Sequence, residues 1–177
     1  CKKCQTSNTT RGNGMLINTE YNRNKAIEYA ERWAFDRNPR YLDFEKLGGD
    51  CTNYVSQCIY AGCGVMNYTP TFGWYYNSAN DRAPAWTGVQ YLYNFLVNNK
   101  KEGPYAVVTS PSQVAIGDIV QLGHANGHFY HSPIVCGIID GRIFVAAHSF
   151  DAWMRPLDSY KYDVARYLHI LGARKYV

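Results

Sequence analysis

The sequence predicts an α+β domain in which N-terminal helices pack on an antiparallel β-sheet. Three observations carry that prediction. Apolar residues recur at helical spacing in the first hundred residues, and short β-branched and aromatic runs fill the second half. An Asp140-Gly141 dipeptide separates two of those runs, as a tight hairpin requires. A chain of 177 residues, 46% of them hydrophobic, is long enough for one domain with a core of its own and too apolar for disorder.

Residues 1–20 read as a polar, flexible lead rich in Gly, Asn and Thr, which places the domain at 21–177. Cys1 and Cys4 have CxxC spacing, but no second CxxC follows. A tether, a disulfide or the N-terminal cysteine of a processed lipoprotein therefore stand ahead of a zinc site. The first helix begins after Asn22, a good N-cap, and carries Ala26, Ile27, Ala30, Trp33 and Ala34 on its apolar face before Pro39. A second helix is expected from Cys51 to about Ala61, closed by Gly62, with Tyr54, Val55, Cys58 and Ile59 as its stripe. Residues 66–86 hold three prolines or glycines among aromatics and read as a long ordered loop, and a third helix spans 87–99. Strands are expected at 105–109, 117–122, 130–139, 142–150 and 166–177.

Composition excludes some classes. The net charge of +4 is spread along the chain, so no basic stripe marks a nucleic-acid binder. No apolar run reaches the roughly 18–20 residues of a membrane span. Nothing in the pattern asks for a metal or organic cofactor, and a monomer is the simplest expectation.

The chemistry centres on "GGDCTNYVSQC" (48–58). With six cysteines in the chain, residue type alone decides nothing. Position does more. Asp50 as N-cap would put Cys51 in the first helical turn, where unpaired amides and the helix dipole favour a thiolate, and where a free amide can receive an oxyanion. Gly48 and Gly49 would leave the sulfur accessible. Cys58, Cys63 and Cys136 read as buried packing residues.

The base is sought among five histidines. If Asp140-Gly141 is a two-residue turn, Ile139 faces Arg142, His131 opposes Phe150, and His148 opposes Pro133. His131 and His148 then share a face as diagonal neighbours, roughly 7–8 Å apart between backbones, unless a bulge intervenes near Pro133. Asp151 would point to the other face. His124 and His128, in "GHANGHF", read as loop residues, and a zinc site of His124, His128, His131 and His148 lacks a helix to align it. His169 reads as a strand residue with a satisfied hydrogen bond.

"GGDCTNYVSQ", "GDIVQL" and "HSPIVCGIIDGRIFVAAHS", in that order, resemble the NlpC-type cysteine peptidases and CHAP amidohydrolases, and above all a bacterial amidase domain of that papain-like superfamily. The resemblance runs from about Tyr21 to Val177. It implies a papain-like fold, Cys51 as nucleophile, His131 as general base and His148 as the residue that orients it. Asp50 matches the acidic residue before the cysteine. Thr52-Asn53 and the aromatic loop depart from the NlpC-type pattern and put the substrate, more than the trio, in question.

The resulting expectation is a cysteine amidase or peptidase acting on cell-wall peptide, hence secreted or associated with the cell envelope. Trp74, Tyr75 and Trp86 would wall a substrate groove, with Asn77, Asn80 and Asp81 binding amides and Asp50, beside the cysteine, also at the substrate. Acyl transfer by the same trio, and a non-catalytic wall-binding module, are the alternatives from other classes.

Overall fold

The computed structural model describes residues 14–177; Cys1 and Cys4 lie outside them. An eight-stranded antiparallel sheet forms the body, with helices on one face. Its longest strand, β10 (Val164–Tyr176), organises the rest. Along one edge it pairs with β4 (Gly103–Thr109). Along the other it pairs with β5 (Ile119–Gly123) and, at its far end, with β1 (Leu16–Thr19). From β5 the sheet continues through β7 (Ile134–Ile139), β8 (Arg142–Ala147) and β9 (Ala152–Pro156). A short β6 (Phe129–His131) also pairs with β5, so β6 and β7 are one strand interrupted around Pro133, which has no N–H for the ladder.

Helix α1 (Arg23–Trp33) starts as its sequence requires, the Asn22 side chain accepting from Lys25 N–H at 3.0 Å. Helix α2 (Cys51–Cys63) runs two residues beyond the expected stop and ends at Gly64, which is left-handed at φ 69°. Gly62 lies inside the helix, where a Cβ would meet the Tyr21 ring at 2.6 Å, so that glycine serves a close approach and not a cap. The third helical segment is split at Gly88 into α3 (Pro84–Thr87) and α4 (Val89–Asn98). The expected loop carries a small hairpin, β2 (Tyr76–Ser78) with β3 (Asp81–Arg82).

Two apolar clusters lie on opposite faces of the sheet. The helix face packs Ile119, Ile134, Cys136, Ala146, Leu168 and Ile170 under α1 and α2. The other face gathers Val120, Leu122, Val135, Ile143, Val145 and Leu157. Strand alternation assigns every residue to one face or the other.

Two sequence expectations are corrected here. The lead does not extend to residue 20, because β1 joins the sheet through four pairings, Leu16 with Tyr176 to Thr19 with Ala173. The β7–β8 hairpin begins as expected, with Ile139 facing Arg142 across Asp140 and Gly141, both at positive φ. The register then shifts by one between Val135 and Gly137, with Cys136 as the extra residue. Beyond that bulge every residue of β8 changes partner, and His148 with it.

Candidate active site

Helix α2 is enclosed over most of its length: every residue from Cys51 to Ile59 is buried. Trp74 and Trp86 seal one side of it and are themselves wholly buried. Trp86 Nε1 donates to Asn53 Oδ1 and Trp74 Nε1 to Ser56 Oγ, both at 3.0 Å. These tryptophans therefore cannot wall a substrate groove; they satisfy the polar residues of a buried helix. Tyr75 is half-buried against the same core, and Asn80 and Asp81 stand exposed at the β2–β3 hairpin.

Cys51 occupies the first position of α2, 8% exposed, and lines a pocket of about 350 Å³ with Gly48, Gly49, Thr87, Gly88, Tyr91 and His128. Gly48 and Gly49 have φ near 106° and 108°, a region that disfavours side chains, so the approach to the sulfur is left uncrowded. Around the sulfur are the Thr52 hydroxyl at 3.7 Å and the backbone amides of Thr52 and Ser132. Burial pushes the thiol above its ordinary value, and these hydrogen bonds offset only part of that. The helix-start position therefore does not by itself produce a resting thiolate, contrary to the sequence expectation.

Behind Cys51 runs a chain of buried polar groups that the sequence reading missed. Thr52 Oγ1 lies 3.4 Å from Ser132 Oγ, which accepts from Gln121 Nε2 at 3.1 Å; Gln121 Oε1 accepts from Arg166 Nε at 2.8 Å. The signal was available in alternation: Gln121 shares its phase with Ile119 and Ser132 with Ile134, both inward positions.

Asp50 precedes the helix but makes no capping bond. Its carboxylate instead accepts from Phe44 N–H at 2.9 Å and Asn53 Nδ2 at 2.9 Å, and pairs with His148 Nδ1 at 2.5 Å. Burial pushes the Asp50 carboxyl up, but the bonds from His148, Asn53 and Phe44 win, and it ends below the usual carboxylate range. The second nitrogen of His148 faces the Trp33 carbonyl at 2.6 Å, and its ring stacks on Tyr54 with centroids 4.0 Å apart. Arg37 closes the cluster, bidentate to Asp151 at 2.9 and 3.0 Å and 3.6 Å from Asp50.

His131 is elsewhere. It pairs with Leu122 on the face away from α2, 5.5 Å from the Tyr160 ring, and its Nε2 has no hydrogen-bond partner among the described residues. Burial, and to a lesser degree Arg155, holds it down to about 4, a neutral imidazole. His131 and His148 thus lie on opposite faces. The Cys136 bulge is the physical reason: it moves His148 to the phase of Ser132 and Ile134. The expected Cys51–His131–His148 trio is not assembled, and of the five histidines His128 shares the pocket with Cys51. His169 pairs with Asp118 at 2.7 Å, a satisfied strand residue. Among the described residues no group of three or more His, Cys, Asp or Glu is poised to hold a metal ion, and Cys51, Cys58, Cys63 and Cys136 are free thiols.

An α+β domain with a pocketed cysteine at the head of a buried helix is the class that fold and site define. Residues 20–171 match the family described as "Putative amidase domain", and the chain belongs to that family. It is 33% identical over 141 residues to the uncharacterized protein YhbB of Bacillus subtilis (strain 168), covering 77% of this chain and 44% of that protein. It is 26% identical over 132 residues to the uncharacterized protein YjcM of the same organism, covering 70% of this chain and 30% of that one. The chain thus spans less than half the length of these curated relatives. No solved structure gives a significant match. Membership of this family suggests amide hydrolysis.

Proposed function

We propose that the domain hydrolyses an amide bond through an acyl-enzyme formed on Cys51. The observation that carries this reading is a thiol at the first position of α2, opening on a pocket, with backbone amides gathered at the sulfur. The thiol attacks the amide carbonyl as its proton passes to a base. The S–C bond forms while the carbonyl electrons move to oxygen, where the helix-start N–H of Cys51 is available. The base then protonates the nitrogen as the C–N bond breaks. Water cleaves the thioester, releasing the acid and restoring the thiol.

The pocket favours His128 as that base, because its lining includes both Cys51 and His128. The family resemblance favours His131, whose ring would have to pass to the other face of β6. The Asp50–His148–Arg37 cluster positions the head of α2 and touches no substrate. A cell-wall peptide as substrate, a papain-like ancestry and an envelope location follow from the resemblance alone and belong to the same proposal.

The test is release of amine from an amide library by the parent and by Cys51→Ala, His128→Ala and His131→Ala, with mass spectrometry of the trapped thioester. Cys51→Ala should abolish turnover and acylation, and His128→Ala should lower turnover by roughly 10²-fold or more. Undiminished turnover in Cys51→Ala overturns the reading. A full effect in His131→Ala with none in His128→Ala returns the base to His131.

A further inference from the structure

A second and larger cavity, about 730 Å³, lies along helix α4. Tyr91 lines both it and the Cys51 pocket, so the two are neighbours on one surface. Its walls include Phe72, Tyr91, Asn94, Asn98, Lys100 and Lys101, and no Asp or Glu. Phe72 is 83% exposed and Tyr91 60% exposed. Neither lysine is ion-paired among the described residues.

We propose that this groove binds an extended, acidic peptide segment of the substrate, with the scissile amide in the Cys51 pocket; the proposal rests on the amidase reading of that pocket. Tyr91, Asn94 and Asn98 follow one another at helical spacing, one stripe of α4 leading from the Cys51 pocket toward Lys100 and Lys101. Two of these side chains keep complementary hydrogen-bonding capacity. Asn94 Oδ1 already accepts from Gln90 Nε2, which leaves the Asn94 amide N–H free to donate. Asn98 Nδ2 already donates to the Asn94 carbonyl, which leaves Asn98 Oδ1 free to accept. One donor and one acceptor, about 6 Å apart along the helix axis, match a carbonyl and an N–H about two residues apart in an extended chain. Beyond them the two lysines meet carboxylates, and Phe72 and Tyr91 offer faces to side chains. From Tyr91 to Asn98 the helix rises about 10 Å, the length of roughly three extended residues.

The experiment uses Cys51→Ala, so that binding is read without turnover. Fluorescein-labelled Ala-Glu-Glu-Glu is compared with Ala-Gln-Gln-Gln by anisotropy at low salt, and the resonances of Asn94, Asn98 and Lys100 are followed by NMR. The acidic peptide should bind at least tenfold tighter and shift those resonances, and Lys100→Ala with Lys101→Ala should remove that advantage. In the active protein the same pair of substitutions should raise KM for a Glu-bearing amide about tenfold with kcat unchanged. Equal binding of the two peptides overturns the proposal, as does an unaffected lysine variant or displacement of the acidic peptide by chitotriose at lower concentration. If the peptide binds as expected while no amide is cleaved, the groove stands and the amidase reading falls.

Discussion

At the scale of single residues, the site depends on where charge is suppressed. Cys51 is a neutral thiol at rest because burial outweighs the three donors around its sulfur. Iodoacetamide should therefore label it slowly at pH 6–7 and faster only above the ordinary thiol range, which mass spectrometry of the labelled peptide will show. Rapid labelling at pH 6 would mean a thiolate that this geometry does not provide. His131 gives a second titration. Held at about 4 in the fold against about 6.5 in the unfolded chain, it takes up its proton first in the unfolded state as pH falls. Stability should thus fall between pH 6.5 and 4 by about 3 kcal/mol from this residue. Urea denaturation of His131→Phe across that window should give a flatter profile than the parent. Cys51 was legible because its neighbours, two glycines and a helix start, are local. The faces of His131 and His148 were not, since they depend on one inserted residue, Cys136. Gly137 beside it, an isolated glycine in a strand, hints at a bulge without fixing the register beyond it.

At the scale of elements, helix α2 is held by polar groups instead of a cap. Replacing Asp50 with Asn removes a carboxylate that serves His148, Asn53 and Phe44 N–H, leaving buried donors without a charge partner. Asp50→Asn should cost about 3 kcal/mol in urea denaturation, with the loss read also as disorder of the 36–49 loop in hydrogen exchange. Helix packing offers a cleaner case. The Tyr21 ring is pinned by its hydroxyl on the Gly117 carbonyl at 2.8 Å and cannot withdraw from a new methyl at position 62. Gly62→Ala, favourable by helix propensity, should instead destabilise by about 1–3 kcal/mol. Helix α2 starts where expected, but Asp50 serves His148, Asn53 and Phe44 and does not cap it. The start of α1 and the Asp140-Gly141 hairpin could be read from sequence because a cap and a turn are short-range. The split at Gly88 and the glycine inside α2 could not, because their reasons lie in partners distant along the chain.

At the scale of the whole molecule, the order of helices and strands was enough to give the class, while the sheet's extent was not. β1 has only four residues, and the apolar run Met15-Leu16-Ile17 at its start is too short to mark a strand until β10 offers an edge. A chain beginning at Glu20 should lose about 2 kcal/mol, a drop in Tm of roughly 4–8 °C, and calorimetry will measure it. An unchanged Tm would show that β1 adds nothing to the fold.

The two tryptophans bound to α2 have an optical consequence. Of the four in the chain, Trp74 and Trp86 are wholly shielded from water, and their indole N–H groups report directly on the helix that begins with Cys51. Trp74 also stacks on Phe95, with ring centroids 6.1 Å apart, so its emission reports on the packing of α4 as well. The protein thus carries its own lamp: blue-shifted fluorescence marks an intact helix, and a red shift on substitution separates a collapsed site from a chemically silenced one.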